Sequence, residues 1–425
     1  MIAKKEILVS IIVPVYSVSK YLRRCLDSCV FQTLEEIEII VVNDNSPDKE
    51  DAFIMEEYKK DYPERIRLVY HKENLGLGGA RNSGIKLARG KYLTFIDSDD
   101  YVDVSLCKKC YESAKSQKSD IVLTYFYTCN INGTITFNKR LGDIKSKNSL
   151  NIYPAWAMLI KKDLITKSNI WFPEKLYHED NAVTPLWQAI AGETSVVEEP
   201  LYYYIQGHPD AITSLKFELR IEAIFKSYDI LLEHTEKFPQ YFDLMSYYFF
   251  DYISNRLKEI NSVTAFRLFT LCFCKIYHKY ELDIGTVNMQ KQQIFQLLLG
   301  TSADVDWDKI YSEYSNLIKK YYLSLCSKKE LSEIFQNENM ETVCVWGCGN
   351  YGTELLGKFG ELGFECLVTD MNVNKIGKIM PNGSVVKPWN EIKDVVKTLI
   401  IGVSGKFEEI SNLVDNGVKI FAVDG

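Results

Sequence analysis

The sequence predicts an α/β protein with an N-terminal, mostly parallel sheet, a helical middle region and a small C-terminal α/β module. Three observations carry that expectation. Short apolar runs alternate with amphipathic helical stretches from Ile7 to about Val122. From Lys216 to Asn339 the periodicity is helical and rich in Tyr, Phe and Leu. Near Glu341 the strand–helix alternation restarts. Alternation of this kind implies parallel strands with helices on both faces. A chain of 425 residues has ample material for two or three cored domains, and the expected segments are 1–215, 216–339 and 340–425.

The elements follow in order. The run from Ile7 to Pro14 is a buried strand, Tyr21 to Phe31 a helix, and Glu38 to Val42 a second strand ending at Asn43-Asp44-Asn45-Ser46-Pro47-Asp48. A helix over Asp51 to Lys60 precedes a strand from Ile66 to Tyr70, a glycine-rich loop and another helix. Tyr92 to Ile96 is a strand, Ser105 to Lys115 a helix, and Ile121 to Tyr125 a strand. Ligands of such sheets gather beyond the carboxyl ends of the strands, where each polar cluster of this segment lies, so the clusters should share one cleft. In the middle region, Phe238-Pro239, Asp283-Ile284-Gly285 and Gly300-Thr301-Ser302 read as inter-helix turns.

The net charge of −7 argues against a general nucleic-acid binder. The N-terminus runs into a strand without a signal-peptide core, and no apolar stretch reaches membrane-spanning length, so a cytoplasmic location is expected. Peripheral association with the inner face of the membrane and self-association stay open. The eleven cysteines are scattered as buried thiols would be in a reducing compartment. Cys107-Lys108-Lys109-Cys110 has metal-like spacing, but no second pair completes four ligands, and zinc is not expected.

Asp97-Ser98-Asp99-Asp100 closes the apolar run Tyr92 to Ile96. Carboxylates this close repel one another and are costly to desolvate, unless a hard cation such as Mg²⁺ or Mn²⁺ sits among them. The same residues also suit a solvated turn or an acidic helix start running on through Tyr101. The tetrad alone does not decide between the two.

Neighbouring blocks do. Val13-Pro14-Val15-Tyr16, Val42 to Ser46, Asn74 to Gly84, Gly90 to Asp100, His178-Glu179-Asp180 and Pro200 to Tyr204 stand in an order and spacing that resemble the family 2 inverting glycosyltransferases of the GT-A fold, across roughly half of the chain. The resemblance implies a nucleotide-sugar donor, usually a UDP-sugar, and a glycan or glycolipid acceptor. Pro14, Tyr16 and Asp44 match the nucleoside pocket. Gly76 and the loop it opens suit close approach to the donor, with Arg81 available for charge-assisted bonds. Asp97 matches a ribose or metal-shell role, Asp99 the metal ligand, and Asp100 a supporting position. Asp180 matches the general base, with Glu179 orienting the acceptor or the base. The blander alternatives are an Asx turn at Asp44, a solvated Arg81 and a surface acidic pair at Glu179-Asp180. One departure stands out: His208 and Ala211 occupy places where the family commonly has Arg and Ser, which puts the diphosphate clamp in doubt. His208 is carried as a donor-binding residue. Trp156, Trp171 and Trp187 suit either a sugar-stacking face or the core.

At the C-terminal end, Gly347-Cys348-Gly349-Asn350-Tyr351-Gly352 follows a strand and precedes a helix, and Asp370 ends the next strand. This is the context of a dinucleotide fingerprint, so Gly347, Gly349, Gly352 and Asp370 form a candidate nucleotide site. The module resembles the small Rossmann-like domains attached to polysaccharide-assembly enzymes. It is short for a complete dehydrogenase and lacks a Tyr-x-x-x-Lys pair. The expected activity is a metal-dependent, inverting transfer of a sugar to a hydroxyl during synthesis of a bacterial surface polysaccharide such as capsule or lipopolysaccharide. The alternatives are a bifunctional enzyme and a non-catalytic nucleotide-sugar sensor.

Overall fold

A computed structural model describes residues 6–130, 135–138, 154–207, 215–287, 289–301, 305–325, 342–347, 353, 356, 365–370, 372–380, 384–393, 396, 398–401 and 419–422. These fall into two compact units: Met1–Ile253 with Leu268–Asp283, and Ser254–Arg267 with Ile284–Gly425.

The first unit opens with β1 (Val9–Val15), α1 (Ser19–Val30), β2 (Ile37–Asn43), α2 (Lys49–Asp61), β3 (Ile66–Tyr70), α3 (Gly76–Leu87) and β4 (Tyr92–Phe95). β1 pairs in parallel with both β2 and β4, and β2 with β3. Every residue of β1 and β2 is buried, which explains apolar runs without alternation. Three polar residues, Ser10, Glu38 and Asn43, are buried within these strands. Glu38 is held at the amino end of β2 by the Ser10 hydroxyl (2.8 Å) and by the backbone N–H (2.6 Å) and Nε (2.8 Å) of Arg89.

Beyond β4 the sheet departs from the mostly parallel expectation. After β5 (Tyr101–Val102), α4 (Leu106–Gln117), β6 (Ile121–Asn130) and β7 (Ile135–Asn138), the chain returns as β8 (Met158–Lys161). β8 lies between β4 and β6, antiparallel to both. After α5 (Lys162–Ser168) and α6 (Thr184–Ile190), β9 (Thr194–Gln206) pairs in parallel with β6 and antiparallel with β5. The order is β3-β2-β1-β4-β8-β6-β9-β5, with β7 on β6, so the sheet is mixed. Ile121 does begin a strand, but its partners are β8 and β9 rather than β4.

The helical region begins with α7 (Phe217–His234), α8 (Phe242–Arg256) and α9 (Val263–Tyr280). Within the first unit, Phe225 meets Phe249 and Phe269 at 6.0 and 4.9 Å, and Asp229 accepts from both Lys279 (2.5 Å) and Tyr280 (2.8 Å). α7 also packs against the turn at Glu179–Ala182.

In the second unit, α10 (Met289–Leu299) and α11 (Trp307–Leu325) precede β10 (Thr342–Trp346), β11 (Glu365–Thr369), β12 (Thr398–Ile401) and β13 (Lys419–Ala422). These four strands are parallel, in the order β11-β10-β12-β13. No helix among the described residues is long and apolar enough to cross a membrane.

Candidate active site

The carboxyl ends of β1, β2, β3 and β4 open on one side of the first unit, and the predicted residues lie there. Pro14 is buried within β1, and Tyr16, just past its end, is 47% exposed. The β1–α1 loop is tied to α2: Ser17 N–H donates to Ser46 Oγ (3.0 Å), and Ser46 donates to the buried Asp51 (2.7 Å). The Asx turn weighed for Asp44 is not formed; Asn43 instead holds this corner, its Oδ1 accepting from Ser46 N–H at 2.8 Å. Asp44 is buried and turned the other way. Its Oδ1 accepts from His71 Nδ1 (2.6 Å) and from the N–H of Leu75 (2.9 Å).

The tetrad is a β-turn and not the start of a helix. Asp100 N–H donates to the carbonyl of Asp97 at 3.0 Å, and the next residues enter β5. The turn assigns different environments to its acids. Asp100 is fully buried and accepts from Tyr202 Oη (2.8 Å) and Ile205 N–H (2.7 Å), tying the turn to β9. Burial, with Asp99 and Asp97 nearby, pushes its carboxyl well above the usual range. Asp97 and Asp99 are half-buried at the rim. Arg24 donates to the carbonyl of Asp99 at 2.9 Å and lies over the Tyr101 ring at 4.7 Å.

Arg81 is neither solvated nor turned outward to a donor: it is 1% exposed. Its guanidinium donates to Glu179 and, at 2.6 Å, to Asp97, with the Phe172 ring 5.4 Å away. A buried cation is costly unless paired, and here it joins the end of β4 to the turn carrying the expected base. Three successive side chains of α3 thus have different partners. Arg81 takes the carboxylates. Asn82 holds the backbone of Phe172, donating at 2.8 Å and accepting at 3.2 Å. Ser83 meets His71 Nε2 at 2.8 Å.

His178 adopts a left-handed conformation (φ 59°) and feeds a 3-10 turn over Glu179–Ala182, which α6 follows. Glu179 is buried, so the surface-pair alternative fails for it. Its carboxyl is pushed up to about 8 by burial, with Arg81 opposing and Asp180 adding to the rise. Asp180 is half-buried, and its Oδ1 accepts from the N–H of Asn181 at 3.0 Å. Its carboxyl is also raised, by burial first, with Arg81 opposing and Asp97 adding. Asp97 and Glu179 therefore pair with a single guanidinium, whose charge also reaches Asp180.

The glycine-rich stretch expected as a loop is helical from Gly76 onward, and its glycines serve the packing of α3. Gly76 has φ +76°, and a Cβ there would lie 3.0 Å from the backbone of Lys175. A Cβ on Gly78 would lie 2.2 Å from the carbonyl of Pro173. The close approach expected of a donor is made by the segment around 172–176.

Other predicted residues divide as follows. Trp187 is wholly buried, and Trp156 is buried and stacked on Tyr202 at 4.5 Å, so both belong to the core and not to a sugar-stacking face. Trp171 is half-buried, with Lys86 5.9 Å from its ring. Cys107 and Cys110 are buried on α4, where burial raises both thiols. His208, Ala211, Gly349 and Gly352 lie outside the described residues. Gly347 follows β10 with φ +109°, its N–H donating to Thr369 at 2.8 Å. Asp370 follows β11, where it accepts from Asn372 N–H (2.8 Å) and Lys375 (3.1 Å).

Among the described residues, no group of three or more His, Cys, Asp or Glu could by itself hold a metal ion. Asp97 and Asp99 at the rim instead fit an ion that takes one or two carboxylates and completes its shell from a diphosphate. Sequence reasoning missed His71, Tyr202 and the burial of Arg81. For His71 a signal existed: it directly follows β3, as Asp44 follows β2.

The mixed sheet, with its acidic turn at the end of β4 and a second carboxylate pair beside it, forms an α/β domain of the GT-A-like class. The chain belongs to glycosyl transferase family 2, a family of nucleotide-sugar-dependent inverting hexosyltransferases, and the model of that family matches residues 10–172. Two relatives from Bacillus subtilis, both glycosyltransferases by name, align with it. EpsJ is 33% identical over 225 residues, 50% of this chain and 64% of EpsJ, just under two thirds of its length. EpsH is 30% identical over 250 residues, 55% of this chain and 71% of EpsH. Among solved structures, S. aureus TarS 1–349 in complex with UDP-GlcNAc superposes with a TM-score of 0.58 at 19% identity, covering 74% of this chain and 91% of that one.

Proposed function

We propose that this chain transfers a sugar from a UDP-sugar to a hydroxyl of a glycan or glycolipid, with inversion, in the synthesis of a bacterial surface polysaccharide. The observation that carries the reading is the pairing of Asp97 and Glu179 with one buried guanidinium at the carboxyl end of the sheet, with Asp180 next to Glu179 and within reach of the same charge. In the proposed chemistry the acceptor hydroxyl attacks the anomeric carbon as the bond to the diphosphate breaks. Asp180 takes the hydroxyl proton, and UDP departs on the opposite side. Arg81 and Glu179 hold that base in place. The half-buried Asp99, with Asp97 beside it, would hold Mg²⁺ or Mn²⁺, which supplies charge neutralisation for the departing diphosphate.

Pro14, Tyr16 and Asp44 form the nucleoside side of this site, and Gly76 acts through the close approach of α3 to Lys175 that it allows. UDP-GlcNAc, the ligand of TarS, is the first donor to try. The three segments 1–215, 216–339 and 340–425 remain our proposed functional division. The C-terminal one is proposed as a small Rossmann-like module for nucleotide binding or assembly. Its parallel strands, Gly347 at positive φ and Asp370 past β11 support that role.

The test is a panel of UDP-sugars scored for thermal stabilisation and UDP release by the full chain. One member of the panel should raise Tm and be turned over. EDTA should suppress turnover, and Mn²⁺ or Mg²⁺ should restore it. Full turnover in chelator contradicts the metal role of Asp99, and silence across the panel contradicts the donor class.

A further inference from the structure

Asp44, His71 and Ser83 form a hydrogen-bonded chain across three elements. Asp44 directly follows β2, His71 directly follows β3, and Ser83 sits inside α3. Asp44 Oδ1 to His71 Nδ1 is 2.6 Å, and His71 Nε2 to Ser83 Oγ is 2.8 Å. The Asp44 and His71 side chains are only 4% and 8% exposed. An ionised carboxylate only accepts, so the proton on that contact belongs to Nδ1, and the Ser83 hydroxyl serves the other ring nitrogen.

The backbone fixes the same corner. Asp44 N–H donates to Val15 O (2.9 Å) and His71 N–H to Asn43 O (2.9 Å). Leu75 N–H, at the entry to α3, supplies the second donor to Asp44 Oδ1. Both side-chain bonds of Asp44 fall on one oxygen, which leaves Oδ2 for a ligand. A buried carboxylate with one oxygen fully engaged is fixed in rotation, so Oδ2 keeps one direction.

We propose that His71 and Ser83 are positioning residues that aim Asp44 Oδ2 at the N3–H of a uracil ring and so set the preference for UDP over CDP. The proposal rests on the UDP-sugar reading above. Uracil carries a proton at N3 where cytosine carries a lone pair, so a fixed, ionised carboxylate attracts the first and repels the second. A carboxylate free to rotate loses that distinction. A merely structural brace has no reason to separate the two bases.

The experiment is calorimetric titration of the full chain with UDP and with CDP in wild type, His71→Leu, His71→Asn and Ser83→Ala, with folding checked by circular dichroism and Tm. Asn offers an amide nitrogen close to the place of Nδ1, and Leu offers none. Wild type should prefer UDP. His71→Leu should lose about tenfold of that preference, the scale of one hydrogen bond to a charged group. His71→Asn should keep most of the preference, and Ser83→Ala should fall between. If His71→Leu does not fold, the order Asn above Ser83→Ala below wild type carries the same test. An unchanged UDP-to-CDP ratio in every folded variant overturns the relay and leaves the donor reading intact. A wild type that binds UDP and CDP equally overturns the aim of Asp44 at N3. A wild type that binds neither overturns the donor reading, and this inference with it.

Discussion

At the scale of single residues, Arg81 organises the chemistry. Its guanidinium is buried between Asp97 and Glu179, and its charge opposes the rise of both Glu179 and Asp180. Removing one partner of such a cluster leaves the others buried and uncompensated. Arg81→Met should therefore cost about 3–5 kcal/mol of stability in urea unfolding. A loss below about 1 kcal/mol, the scale of an exposed pair, contradicts its buried role. The same residue sets the pH profile. Burial and Asp97 favour neutral Asp180, Arg81 favours the carboxylate, and the sum is upward. The base is thus protonated, and inactive, at a higher pH than a free aspartate, and the acid limb of kcat should lie above about 3.9. Asp97→Asn should move that limb down in whatever activity remains; a limb that stays in place speaks against Asp97 as a neighbour of the base. Residue identities were legible at Asp97, Asp99, Asp100 and Asp180 because acids at strand ends are chemically conspicuous. Arg81 was visible too, but its burial was not: a guanidinium reads as solvated until the carboxylates far along the chain are placed around it.

At the scale of elements, α3 and the 172–176 segment determine how closely the two halves of the site approach. Gly78 lies where a Cβ would meet the carbonyl of Pro173 at 2.2 Å, and a backbone oxygen cannot rotate away. Gly78→Ala should cost about 1–3 kcal/mol by overpacking, read as a lowered Tm, and should also lower kcat by shifting Glu179. An Ala variant with unchanged Tm contradicts the close packing. The strand–helix alternation through β4 was readable because fully buried parallel strands are continuous apolar runs. β8 was not, since Met158–Lys161 is four residues long and antiparallel to partners far away in sequence. β5 is shorter still, two residues whose pairing depends on β9. Periodicity cannot register elements of that length. Yet β8 begins directly after the 3-10 turn Ala155–Ala157, and Ala155 N–H hydrogen-bonds Asp180, so an illegible strand helps to place a legible base.

At the scale of the whole molecule, every described residue of the proposed donor and base site belongs to the first unit, and the second has a parallel sheet of its own. The helical signal after Lys216 was correct as secondary structure through Leu325, and the rest of that stretch, to Asn339, lies outside the described residues. What it concealed is that α7 packs against the Glu179–Ala182 turn within the first unit, a tertiary contact with no local sequence mark. The account as a whole stands on Asp180 taking a proton from the acceptor while other residues hold the nucleotide. The direct measurement compares UDP release from the active UDP-sugar, and UDP binding by calorimetry, in wild type and Asp180→Asn. Turnover should fall by about 10²–10⁴ while UDP affinity stays within a few-fold of wild type. Asp180→Asn turning over at the wild-type rate, or losing UDP binding together with turnover, contradicts the assignment.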